Sequence, residues 1–220
     1  MTPLAFDPRL MLVTDEAACG TRGVVETVRA ALDGGVTVVQ VREKDADAAA
    51  TLALVREVAA LCEGRAAVLV NDRVDVYLAA RALGAPVAGV HVGQLDLPVG
   101  AVREIVGPHA VVGLTADTPE HLAAVRELPS GTVTYLGVGV IRSTVTKPDH
   151  PPPLGIDGFG AVCAATPLPC VAIGGVRAED VGPVFAAGGA GVAVASTICA
   201  APDPRLATLE LAKEVDRVRR

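Results

Sequence analysis

The 220-residue chain has no tryptophan, and its three Phe and two Tyr make up only 2% of it. Its formal net charge is −6. Nucleic-acid binding needs rings for base stacking and a basic face for phosphates, so both lacks exclude that class. Long apolar runs are missing too. Stretches such as Ala66 to Val70 and Gly191 to Ala195 hold about five residues, against the roughly 20 of a membrane-spanning helix, so no membrane association is expected. The first nine residues carry Asp7 and Pro8 and lack the basic and then apolar stretches of a secretory signal, which points to the cytoplasm. Cys19, Cys62, Cys163, Cys170 and Cys199 are odd in number, scattered and never in CxxC spacing. They suggest buried reduced thiols, with neither a disulfide framework nor a structural zinc site. His91, His109, His121 and His150 share no metal spacing, and no GxSxG or P-loop occurs. Acid–base or covalent catalysis therefore has no visible apparatus.

What the chain does have is 51% hydrophobic and only 20% charged residues, enough for a substantial core. Short β-branched runs alternate with segments of helical period, without a linker or composition shift. The pattern predicts strands over 10–14, 36–41, 67–70, 88–92, 110–114, 133–138, 170–173 and 191–195. Helices are predicted over 23–32, 46–62, 74–83, 99–106, 119–128, 158–165, 178–187 and 204–219, several opening with an Asp or Thr cap or a first-turn Pro. Eight strand–helix pairs in a chain of this length predict an α/β fold, a single (β/α)8 TIM barrel, with residues 1–220 as one domain. A doubly wound open sheet is the alternative. In a barrel the active site gathers on the loops after each strand, which directs attention to eight short segments.

After the second strand, alternation places Gln40, Arg42 and Lys44 on one side and Val39 and Val41 on the other. That polar face suits an anionic ligand, against the plainer reading of a solvated strand end. The 19 basic residues include only three Lys, at 44, 147 and 213, and two of these follow predicted strands. Asn71 and Asp72 end the third strand and Asp96 follows the fourth. Neighbouring strands let the two Asp converge as Mg²⁺ ligands that leave the rest of the shell to water and phosphate; the alternative is ordinary cap and turn chemistry. After the fifth strand Thr118 reads as a helix N-cap, leaving Thr115 as an inward hydroxyl. The sixth is followed by the longest connection, about 17 residues from Gly139 to Gly155, in which Thr144, Thr146 and Lys147 offer donors to an anion. Gly174 and Gly175 end the seventh, and Ala195 and Ser196 end the eighth, the usual phosphate end of such barrels.

Taken in order, these pieces resemble thiamine-phosphate synthase over essentially the whole chain. The matching segments are Gln40-Val41-Arg42-Glu43-Lys44, Asn71-Asp72, the run from Gly89 to Asp96, Thr144-Val145-Thr146-Lys147, Ala172-Ile173-Gly174-Gly175 and Ala195-Ser196. The resemblance implies a Mg²⁺-dependent (β/α)8 enzyme that joins hydroxymethylpyrimidine diphosphate to a thiazole phosphate. It assigns Gln40, Arg42, Lys44, Asn71, Thr115 and Lys147 to the pyrimidine diphosphate, with Arg42, Lys44 and Lys147 as the catalytic cations. Asp72 and Asp96 go to the metal, and Thr144, Thr146, Gly175, Ala195 and Ser196 to the thiazole phosphate. The family pattern has Ser at Thr115, often His at Asp117, and a proline-flanked aromatic where Val140-Ile141-Arg142-Ser143 stands. Losing both prolines and gaining Arg142 predicts a more flexible and more cationic start to the long loop. Thiazole tautomerases, with a His at the position of Asp117, and a non-catalytic phosphate-binding barrel are the rival readings. The expected partners are small-molecule substrates; a homo-oligomer is common for such barrels but is not written in these residues.

Overall fold

The computed structural model describes residues 6–143 and 152–219. Eight parallel strands close on themselves in sequence order, each paired with the next and β8 with β1. They are β1 (Leu10–Val13), β2 (Val38–Val41), β3 (Ala67–Asn71), β4 (Gly89–Val92), β5 (Val111–Thr115), β6 (Tyr135–Gly139), β7 (Cys170–Ile173) and β8 (Gly191–Val194). The helices are α1 (Glu16–Cys19), α2 (Val24–Gly34), α3 (Ala48–Cys62), α4 (Val74–Ala82), α5 (Val99–Val106), α6 (Pro119–Arg126), α7 (Gly155–Ala164), α8 (Ala178–Ala186), α9 (Ser196–Cys199) and α10 (Pro204–Val218), with a 3₁₀ turn at Gly20–Arg22. The barrel prediction holds and the open-sheet alternative falls. Among the described residues no helix is long and apolar enough to cross a membrane.

The strands are Val-rich because both faces are covered, as parallel sheets require. One side packs beneath the helices, with Leu12, Val39, Val41, Val68 and Val70 in that layer. The other fills the barrel, with Met11, Val38, Leu69, Tyr135, Val171 and Ala193. Local chemistry sets the helix starts: Asp47, Thr118 and Asp203 cap α3, α6 and α10 through their side chains. Predicted and observed boundaries agree within three residues. Where they differ, capping is one cause. The second strand was predicted from Val36, but Gly35 turns left-handed (φ +100°) and the Val36 N–H is spent on Ala31 O at 3.1 Å, closing α2. The short α1 and α9 were not foreseen, since four-residue helices carry no periodic signal. They lie just after β1 and β8, at the mouth of the barrel.

Candidate active site

A cavity of about 580 Å³ opens at the C-terminal ends of the strands, and all eight contribute to its wall. Gln40, Arg42 and Lys44 line it as the alternation predicts, while Val39 and Val41 stay in the outer layer. The strand end is held by a reciprocal pair: the Arg42 N–H donates to Thr14 Oγ1 (2.9 Å), and the Thr14 hydroxyl donates to Arg42 O (3.3 Å). Asn71, Asp72, Asp96, Thr115, Gly175, Ala195 and Ser196 line the same cavity. Thr144, Thr146 and Lys147 lie outside the described residues.

Asp72 and Asp96 converge because β3 and β4 are neighbours: Asn71 pairs with His91, and the Asp72 N–H donates to His91 O at 2.8 Å. Asp72 adopts φ +60°, a left-handed conformation that Asp and Asn tolerate better than most residues. Asp96 Oδ2 accepts the Gly93 N–H at 2.7 Å. Burial, then hydrogen-bond contact and repulsion from Asp96, push the Asp72 carboxyl up to about 6. Two hard oxygen donors pressed together in this way fit a divalent cation. Among the described residues no group of three or more His, Cys, Asp or Glu could hold a metal, so an ion here would need further ligands from water or substrate, the habit of Mg²⁺.

The cavity floor was only partly visible in the sequence. His91 faces the Tyr135 hydroxyl through Nδ1 (2.9 Å) and Thr115 Oγ1 through Nε2 (3.1 Å). Tyr135 is fully buried, which pushes its phenol up, with Gln40 opposing. A polar chain Tyr135–His91–Thr115 thus links β6, β4 and β5. In the sequence His91 stands out only within a matching segment and as one of four histidines without metal spacing, and Tyr135 only as part of a strand. Asp117 and His121 also line the cavity, joined at 2.9 Å between Oδ1 and Nδ1. Their i,i+4 spacing across the Thr118-Pro119 helix start was the available signal.

At the opposite wall Gly174 and Gly175 take φ +87° and +67°, and Val140 and Arg142 stand where their Cβ atoms would be. The Thr197 hydroxyl donates to Val176 O at 2.9 Å, joining this loop to α9. The start of the β6–α7 connection is more ordered than expected. The Ile141 and Arg142 N–H groups donate to Ile173 O (3.0 Å) and Gly174 O (2.9 Å), and the Leu154 N–H donates to Val140 O (2.8 Å). Nor is Arg142 a free cation: its guanidinium pairs with Asp180, at the start of α8. Backbone ladder and ion pair replace the stiffness that prolines would supply.

Beside the site, Glu43 Oε1 is buried without a hydrogen-bond partner. Burial, followed by Glu16, Cys19 and Asp15, pushes this carboxyl from 4.5 up to about 7, with Arg42 opposing. An acid that keeps its proton longer when folded costs stability as pH rises from its unfolded to its folded pKa. Glu43→Gln should therefore melt above the parent at about pH 8 and lose that advantage near pH 4.5. Thermal melts at both values check this, and an advantage independent of pH refutes it.

An eight-stranded barrel whose mouth joins paired carboxylates, a cationic strand end and a glycine-rich cradle is, as a class, an enzyme scaffold for phosphorylated small molecules. The thiamine monophosphate synthase family model matches residues 10–198, and the chain belongs to that family. It is 42% identical over 219 residues to the thiamine-phosphate synthase of Azorhizobium caulinodans, covering 99% of this chain and 100% of that one. It is 45% identical over 208 residues to that of Laribacter hongkongensis, covering 94% of each. The thiamine phosphate pyrophosphorylase structure from Pyrococcus furiosus superposes with a TM-score of 0.83 at 30% identity, covering 96% of this chain and 97% of that one.

Proposed function

We propose that the chain, acting as one catalytic domain over residues 1–220 in the cytoplasm, is a thiamine-phosphate synthase. It joins hydroxymethylpyrimidine diphosphate to thiazole phosphate and releases pyrophosphate. The observation that carries this reading is the meeting of Arg42, Lys44, Asp72 and Asp96 with the Gly174–Gly175 cradle around one cavity in a member of this family.

The thiazole ring nitrogen forms a bond to the pyrimidine methylene carbon as the carbon–oxygen bond to diphosphate breaks, and pyrophosphate leaves with that electron pair. The nitrogen becomes quaternary and has no proton to lose, so no general base is required. What must be stabilised is charge. Arg42, Lys44 and Lys147 neutralise the departing diphosphate, in a substitution made dissociative by the electron-rich aminopyrimidine. Asp72 and Asp96 would hold Mg²⁺, which when bound supplies further charge neutralisation to phosphate oxygens. Gln40, Asn71 and Thr115 orient the pyrimidine diphosphate. Thr144, Thr146, Gly175, Ala195 and Ser196 receive the thiazole phosphate.

Purified protein incubated with both substrates and Mg²⁺ should form thiamine phosphate, detected after oxidation to its fluorescent thiochrome, and EDTA should abolish the product. A folded sample that binds thiazole phosphate but forms no product overturns the reading in favour of a tautomerase or a binding barrel.

A further inference from the structure

Asp180 is the third residue of α8, the helix that follows the Gly174–Gly175 loop. Its side chain is only 3% exposed. It closes the helix start by accepting the Arg177 N–H at 2.9 Å. A carboxylate buried beside a cradle for phosphate is an electrostatic fault, because it repels the dianion that the loop is shaped to receive.

Arg142 corrects it from 38 residues away in the chain. Its Nη2 reaches Asp180 Oδ1 at 2.5 Å and its Nε reaches Oδ2 at 3.2 Å, a two-pronged, charge-assisted contact. Glu179 stands 3.7 Å from the same guanidinium but is two-thirds exposed, so it adds little. Burial tends to raise the Asp180 carboxyl, but Arg142 and the Arg177 N–H outweigh it and hold the group below its ordinary range. The same arginine touches the cradle through its backbone. Its N–H donates to Gly174 O, and its Cβ and carbonyl oxygen stand 2.8 and 2.9 Å from where a Gly175 Cβ would be. One residue thus contacts both left-handed glycines and pairs with the buried Asp180 carboxylate.

We propose that Arg142 and Asp180 form an electrostatic latch that sets the affinity of the β7–β8 cradle for the phosphate of the thiazole substrate. Both are positioning residues, since neither lines the cavity. The inference rests on the synthase reading for the identity of the ligand. In its terms, Arg142 acts chiefly on thiazole phosphate, because its side chain and backbone meet Asp180 and the Gly174–Gly175 cradle, whereas most groups given to the pyrimidine diphosphate stand at the ends of β2, β3 and β5.

The test compares parent, Arg142→Ala, Arg142→Lys, Asp180→Asn and the Arg142→Ala/Asp180→Asn double variant, by steady-state kinetics in each substrate and by calorimetry with thiazole phosphate alone. Arg142→Ala should raise KM and Kd for thiazole phosphate about 10-fold, as expected when a buried carboxylate loses a half-exposed cationic partner. KM for the pyrimidine diphosphate and kcat at saturation should change less than KM for thiazole phosphate, since Gln40, Arg42, Asn71 and Thr115 stand at the ends of other strands. The double variant should recover most of the lost affinity, because the amide that replaces the Asp180 carboxylate still accepts the Arg177 N–H and no longer repels phosphate. Arg142→Lys, which keeps the charge and loses the fork, should fall between parent and Arg142→Ala.

Recovery in the double variant is what a merely structural contact would not give. Equal loss in both substrates, no loss in Arg142→Ala, or a double variant as weak as Arg142→Ala overturns the latch. If Arg142→Ala does not fold, Arg142→Lys and the double variant decide by the same criteria. Product formed by the parent with affinities unmoved by the variants defeats the latch alone. If the parent binds thiazole phosphate but forms no product, the synthase reading fails and calorimetry still judges the latch. If the parent does not bind thiazole phosphate, both fail.

Discussion

Replacing Asp72 with asparagine is expected to lower kcat about 10²-fold or more, the usual scale for losing one electrostatic stabiliser. Asparagine is the informative substitution. Residue 72 sits at φ +60°, where alanine would add backbone strain but Asn is at ease. The Asp72 N–H keeps its bond to His91 O, so the end of β3 should hold its shape. What changes is charge: one of the two carboxylates proposed to hold Mg²⁺ is lost, and the diphosphate keeps more of its negative charge as it leaves. Without added metal the variant should melt no lower than the parent, because Asp96 no longer presses against a second carboxylate. Initial rates across a Mg²⁺ titration, with melts in EDTA, check both halves. An unchanged kcat at saturating Mg²⁺ removes Asp72 from the mechanism. A lower melting temperature assigns it a structural role instead.

Gly113→Ala should cost about 3 kcal/mol of stability, the upper range for overpacking a core, and should reduce kcat/KM as well. Gly113 lies inside β5, and a Cβ there would sit 2.4 Å from both Tyr135 Cζ and His91 Nδ1. Neither can easily give way. Tyr135 is 1% exposed and hydrogen-bonded to His91, and His91 is held again by Thr115. The added methyl must displace the polar chain that floors the cavity, so stability and activity fall together. Chemical denaturation measures the first and the thiochrome assay the second. A variant as stable as its parent would show that the Tyr135–His91 floor has slack that the packing denies it.

These two substitutions mark where sequence reasoning reached and where it stopped. Asp72 was legible because strand alternation, loop position and the nearby Asp96 are all readable in one dimension, and the eight strand–helix units supplied the neighbours. Gly113 was not. Nothing local separates a glycine that makes room for Tyr135, 22 residues away, from one that merely ends a strand.

The same division runs through the molecule. Hydrophobic period, Asp and Thr caps and helix-ending glycines are short-range signals, so the sequence alone determined the eight-fold alternation, the barrel, and the strand ends bearing Gln40, Arg42, Lys44, Asp72, Asp96, Thr115 and Ser196. Only the tertiary structure decided that Arg142 is spent on Asp180, that Oε1 of Glu43 is buried without a partner, that Asp117 meets His121 at the rim, and that α9 turns its first residues toward the cavity. The first is a contact between side chains brought together by barrel closure, the second and third depend on what the closed barrel packs around them, and the last depends on a helix too short to show a period. A charge pair or a buried orphan is a property of distance in space, and the chain carries that information only after its strands have closed into a ring.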